Sequence, residues 1–153
     1  MSSEELIAIK KRLIAACVSQ QEQIAQTSLG LMNEAQQMAN EYGPPKDRYD
    51  AFRTKQMRQA EMYSHQYDTA RQNIRTLQRI DPDKVTEEVG FGSLVFTDTQ
   101  KMLISVSLGK IEMEGDTYYA VSVQVPVFQA MKGRKKGEEF LFNGKKHIII
   151  SIT

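Results

Sequence analysis

A chain of 153 residues with 41% hydrophobic and 25% charged side chains has room for one ordinary domain or two small units, and its composition excludes disorder as the main state. Its formal net charge is +1, and positive and negative side chains nearly cancel within residues 1–84 and again within 85–153, so no global attraction to nucleic acid or membrane is expected. Cys17 is the only cysteine, which excludes an intramolecular disulfide and a zinc site of the clustered-cysteine type.

No stretch approaches the roughly 18–20 consecutive apolar residues that span a bilayer. The start, MSSEELIAIKK, lacks an apolar signal core behind a basic lead. A cytoplasmic protein without membrane contact is expected.

From Ser3 to Asn40 there is no proline and, apart from Gly30, no glycine. Apolar or small residues recur at Leu6, Leu13, Cys17, Ile24, Leu31, Ala35 and Met38, with Gln20 and Thr27 in the gaps. Steps of three and four predict a helix with that stripe buried. Ser2 or Ser3 supplies the N-cap, and Glu4 and Glu5 complement the dipole of the first turn.

Glu41-Tyr42-Gly43-Pro44-Pro45 stops this helix and reverses the chain, because two successive prolines cannot continue the hydrogen-bond ladder. A second stripe follows at Phe52, Gln56, Ala60, Tyr63, Tyr67, Ala70, Ile74 and Leu77 and ends before Asp81-Pro82. Helices of about 38 and about 34 residues, at about 1.5 Å per residue, give arms of roughly 50–57 Å. So short a connection requires them to run antiparallel. Few large aliphatics lie on the stripe, so a two-helix coiled coil of modest stability is expected, exposed as a projection.

The pattern changes near Val89: all glycines but Gly30 and Gly43 lie at Gly90 or beyond, and short β-branched runs replace the helical period. Expected strands are Ser93–Thr97, Met102–Ser107, Tyr118–Val123, Glu139–Phe142 and His147–Ile152. Turns are expected at Gly109, Gly115-Asp116 and Asn143-Gly144, and one short helix over Val127–Lys132 after Pro126. About 65 residues bury only a small core, so packing against the base of the hairpin is expected to support it. The fold class is therefore read as α+β: an antiparallel two-helix coiled coil over 1–84, with its tip near 41–47, and a small β-rich C-terminal domain over 89–153 with one short helix.

Chemistry-bearing groups are sparse. Cys17 falls on the apolar stripe, His65 in mid-helix and His147 in a strand, with no activating base or oxyanion hole in view; a thiol nucleophile of the ketosynthase kind is not expected. Gly90-Phe91-Gly92 is too short for a phosphate loop and precedes a strand. Lys132, Arg134, Lys135 and Lys136, with Lys145 and Lys146 across the expected hairpin, form the most basic cluster. They either contact phosphate or an acidic protein surface or solvate turns and guard an edge strand. The tyrosines Tyr42, Tyr49, Tyr63 and Tyr67 and the methionines Met32, Met38, Met57 and Met62 either form a partner surface along the hairpin or pack on its flanks.

The C-terminal stretches VGFGSLVF and YYAVSVQVPVFQAMKGRKKGEEFLFNGKKHIIISI, behind a helical hairpin, resemble the Gre family (GreA/GreB) of bacterial transcript-cleavage factors. Val125-Pro126, Met131-Lys132-Gly133-Arg134, Gly137-Glu138 and Asn143-Gly144 stand where that family has a Ser-Pro pair, a short helix with a Gly-Lys-like turn, a Gly-Asp step and a closing hairpin. The resemblance implies an FKBP-like C-terminal domain that docks at the rim of the RNA polymerase secondary channel, with the coiled-coil tip pushed toward the active site. Partner contacts would then fall on Lys132, Arg134, Lys135 and Lys136, and nucleic acid would be met only indirectly.

In the family's cleavage factors one acidic residue follows the tip glycine and another lies three positions on, together helping to hold a magnesium ion shared with polymerase. Here Pro44 takes the first place and Asp47 the second. The tip candidates are Glu41, Asp47 and Asp50, with Asp47 and Asp50 as the pair that would share the magnesium; no cofactor of the chain's own is implied. Lys46, Arg48 and Arg53 neutralise them, and a neutral tip recruits a dication poorly. The resemblance thus implies a polymerase-binding regulator with weak or no cleavage stimulation, and not itself an enzyme; from the glutamine-rich stripe the chain is expected to be a monomer or a weak homodimer. The competing reading is a coiled-coil scaffold with no polymerase contact.

Overall fold

The computed structural model describes residues 2–42 and 51–153. Its elements in chain order are helices α1 (Ser3–Tyr42) and α2 (Ala51–Gln78), strands β1 (Leu94–Thr97), β2 (Lys101–Ile104), β3 (Gly109–Met113) and β4 (Asp116–Val121), helix α3 (Pro126–Met131), and strands β5 (Glu139–Phe142) and β6 (Lys145–Ile152). Two helices followed by a six-stranded sheet with one short helix make the fold α+β, as expected. The reversal at Gly43-Pro44-Pro45 lies outside the described residues.

The chain forms two compact units, one of residues up to Val18 with Thr76–Thr153, the other Ser19–Arg75. In the first, the Ser2 hydroxyl oxygen accepts from the Glu5 N–H at 3.2 Å, the N-cap that starts α1. The sheet order is β3-β4-β2-β1-β6-β5; every neighbouring pair is antiparallel except β2 with β4. β1 is buried on both faces. Leu94 and Phe96 meet Leu6, Leu13, Cys17, Leu77 and Ile80 from the helix ends on one side. Val95, with Met102, Ile104 and Ile149, meets Phe128 and Met131 of α3 on the other. The period of two along one strand thus feeds two cores.

Pro126 opens α3, where its missing N–H costs nothing. Asn143 and Gly144, both at positive φ (53° and 75°), make the β5–β6 turn that the Asn-Gly pair encodes. One strand was not expected. β3 begins at Gly109, read as a turn, and its only buried residue is Ile111. A strand at the end of the sheet with one inward side chain carries little hydrophobic alternation. β2 correspondingly ends at Ile104, short of the expected Ser107.

The second unit is the body of the hairpin. The Asn73 side-chain amide donates to Gln21 Oε1 at 3.0 Å, the Ser28 hydroxyl to Gln66 Oε1 at 3.4 Å, and the Arg53 guanidinium to the Ala39 carbonyl at 3.1 Å. Numbers rise on one helix as they fall on the other, so the helices are antiparallel.

The buried seam differs from the expected stripe on α1. Gln21, Ala25, Ser28, Ala35 and Ala39 are buried, opposite Gln56, Ala60 and Ala70. Ile24, Leu31 and Met38 are 41%, 37% and 41% exposed, and Phe52 on α2 is 40% exposed. A step of seven is common to every stripe along a helix, so spacing alone does not choose among them. The small residues win because they let the two backbones approach, and the large aliphatics are displaced to the flank.

Candidate functional site

At the far end of α1, Glu41 is exposed, and its Oε1 accepts from the Gln37 amide at 3.0 Å. Asp47 and Asp50 lie outside the described residues. Among the described residues no group of three or more His, Cys, Asp or Glu side chains is placed to hold a metal. Glu41 by itself, one solvated carboxylate, is a poor donor set for magnesium, which favours several oxygen ligands.

The basic residues of the C-terminal domain sit on a loop fixed by its backbone. Gly133, at φ 75°, lets the chain leave α3 in a left-handed turn that a side chain would strain. The Gly133 N–H donates to the Val89 carbonyl at 3.0 Å, the Val89 N–H to the Arg134 carbonyl at 2.9 Å, and the Gly137 N–H to the Ile149 carbonyl at 2.7 Å. Lys132, Arg134, Lys135 and Lys136 are all exposed. Arg134 lies 3.9 Å from Glu138 and Lys135 3.9 Å from Glu88, loose solvated pairs of small energetic weight. Lys132 and Lys136 form no ion pair among the described residues. The loop holds four cations on a rigid base, able to meet an acidic surface without ordering cost in the backbone.

Lys145 and Lys146 do not join this cluster. They pair with Phe142 and Leu141, beside the turn, whereas Gly137 lies at the other end of β5. Four residues at about 3.4 Å separate the two groups by roughly 14 Å.

Cys17 is fully buried, and burial pushes its thiol up to about 11, so it carries no thiolate near neutral pH. His147 stacks on Phe140 at 5.3 Å and stands 3.6 Å from Asp98 Oδ1. His65 lies on α2 in the other unit. No nucleophile and base come together among these groups.

One buried group escaped the sequence reading. Lys10, 1% exposed, donates from Nζ to the Thr153 carbonyl at 3.1 Å and toward the Lys84 carbonyl at 3.4 Å. It ties α1 to the connection after α2 and to the residue following β6. Its place between Leu6 and Leu13 is the signal that it faces inward, and its charge type hid it.

The chain matches no family model and no curated protein. Among the solved structures that resemble it are the following three. The transcription factor Gfh1 aligns at 16% identity and a TM-score of 0.36, over 90% of this chain and 93% of that one. GreA factor homolog 1 of Thermus thermophilus aligns at 15% and 0.33, over 90% and 95%. Thermus aquaticus Gfh1 aligns at 14% and 0.30, over 90% and 94%. Likenesses at this level establish neither a family nor a site.

Proposed function

We propose that this chain is a Gre-like regulator of transcription elongation that binds bacterial RNA polymerase at its secondary channel, with weak or no stimulation of transcript cleavage. The observation that carries the reading is the rigid basic loop 132–138. It is built on Gly133 and Gly137, both at positive φ, two of the positions at which the sequence resembles the Gre factors. The domain holding it contains the roots of a helical hairpin whose first helix runs 40 residues, about 60 Å.

Weak cleavage follows from the tip sequence. Pro44 stands where a cleavage factor has its first carboxylate, and Lys46, Arg48 and Arg53 offset Glu41, Asp47 and Asp50. The polymerase is the partner to test first, by co-purification of the full chain with bacterial core enzyme. Retention by the wild type with loss in Lys132→Glu/Lys136→Glu is the expected result. Failure of the wild type to associate sinks the proposal.

A further inference from the structure

Ile24, Leu31 and Met38 stand seven residues apart on α1 and are each more than a third exposed. On α2, Met62 is 47% exposed and lines the same open groove as Ile24. The bonds joining Gln21 to Asn73, Ser28 to Gln66 and Ala39 to Arg53 set the level of one helix against the other and bring Leu31 level with Met62. One face of the hairpin therefore carries a row of large apolar side chains outside its alanine-lined seam.

Charge along the hairpin is divided by helix, although Glu61 of α2 also lines the groove of Ile24 and Met62. From Ser19 to Tyr42, α1 has Glu22, Glu34 and Glu41 and no Lys or Arg, whereas α2 from Ala51 to Arg75 is net basic. Glu34 and Glu41 follow Leu31 and Met38 by three residues, on the same edge of the stripe. Lys55 and Arg58 precede Met62 by seven and four and flank it likewise. None of these four charges forms an ion pair among the described residues.

We infer that this face of the hairpin binds the same face of a second copy of the chain, with α1 of each copy lying over α2 of the other. A twofold axis along the hairpin produces that arrangement. It places Glu34 and Glu41 near the partner copy's basic residues, and Leu31 over the partner copy's Met62, so both the apolar and the ionic halves of the surface are matched by self-association. The face is about 30 Å long and about 18 Å wide, so two copies bury roughly 1,000 Å² in all, the lower end for a specific interface. The dimer is accordingly weak and concentration-dependent. It stands apart from the polymerase reading, since it needs no second protein.

Sedimentation velocity of the full chain over a range of concentrations tests it. At low ionic strength the wild type shifts from monomer to dimer as concentration rises, and added salt reverses the shift. Glu34→Lys/Glu41→Lys and Lys55→Glu/Arg58→Glu each weaken self-association at least about tenfold, because like charges now face each other. Mixed together, the two variants form a heterodimer at wild-type strength. Ile24→Ser/Leu31→Ser/Met62→Ser is monomeric with unchanged helical circular dichroism; if that variant loses helix, the charge-reversal mixture alone decides. A wild type that stays monomeric throughout overturns the inference. So does a mixture that fails to associate, or a dimer indifferent to both charge reversals.

Discussion

Lys10 and Cys17 occupy the same inward stripe of α1 and respond to pH with opposite signs. Desolvation lowers the Lys10 pKa from 10.5, against a smaller raising effect of Asp81. The folded chain therefore releases that proton before the unfolded chain does, and stability rises as pH climbs through the interval between the lowered value and 10.5. Denaturant unfolding of the wild type against Lys10→Met should show this rise as a difference between their pH curves; parallel curves would mean the amine is solvated. For Cys17 the folded pKa is raised from 9.0 to about 11. Its contribution is intact below 9.0 and is lost as pH rises toward about 11, since only the unfolded chain ionises there. At neutral pH iodoacetamide should label Cys17 no faster than the protein unfolds, followed by mass spectrometry. The sequence placed Cys17 correctly because a small apolar residue suits the stripe. It missed Lys10 because an apolar pattern cannot reveal a cation satisfied by two carbonyls.

At the scale of elements, α1 was legible as a helix and only partly legible as a surface. Leu6, Leu13 and Cys17 were assigned inward and are buried, whereas Ile24, Leu31 and Met38 were assigned inward and are exposed. The stripe continues through Gln21, Ala25 and Ser28, residues whose small size or polarity hides them from a hydrophobic count. Two substitutions separate seam from flank. Ala35 is buried, and Ala35→Leu should cost about 1–3 kcal/mol by overpacking a close helix pair. Gly30 is exposed in mid-helix, with nothing within 4 Å of a Cβ built on it. Gly30→Ala should therefore stabilise by about 0.5–1 kcal/mol through lower backbone entropy in the unfolded chain. Thermal melts of both variants check the pair, and equal effects would reject the assignment of the seam. In the sheet, β5, the β5–β6 turn and α3 were legible because Glu139–Phe142, Asn143-Gly144 and Pro126 carry local signals. β3 was not, because Gly109, Lys110 and Glu112 surround its single inward Ile111 and the pairing with β4 supplies what the local sequence lacks.

For the whole molecule, the division of labour expected of the chain is between a domain that binds and an arm that reaches. The basic loop was visible in sequence as a run of cations. Its rigidity was not, because that depends on hydrogen bonds from residues 89 and 149 that lie far away along the chain. If the proposed function holds, the loop recognises its partner by position of charge, so reversing Lys132 and Lys136 should weaken polymerase binding about tenfold, roughly 1.4 kcal/mol, and the loss should shrink as salt is raised. The arm should contribute occupancy rather than chemistry. In backtracked elongation complexes, Asp47→Ala/Asp50→Ala should leave the rate of transcript cleavage at the wild-type level, because the tip is locally neutral and a weak carboxylate pair adds little to a metal already held by polymerase. A marked fall in cleavage with the double variant, at unchanged binding, would show instead that these two carboxylates do supply the ion despite Pro44 and their basic neighbours.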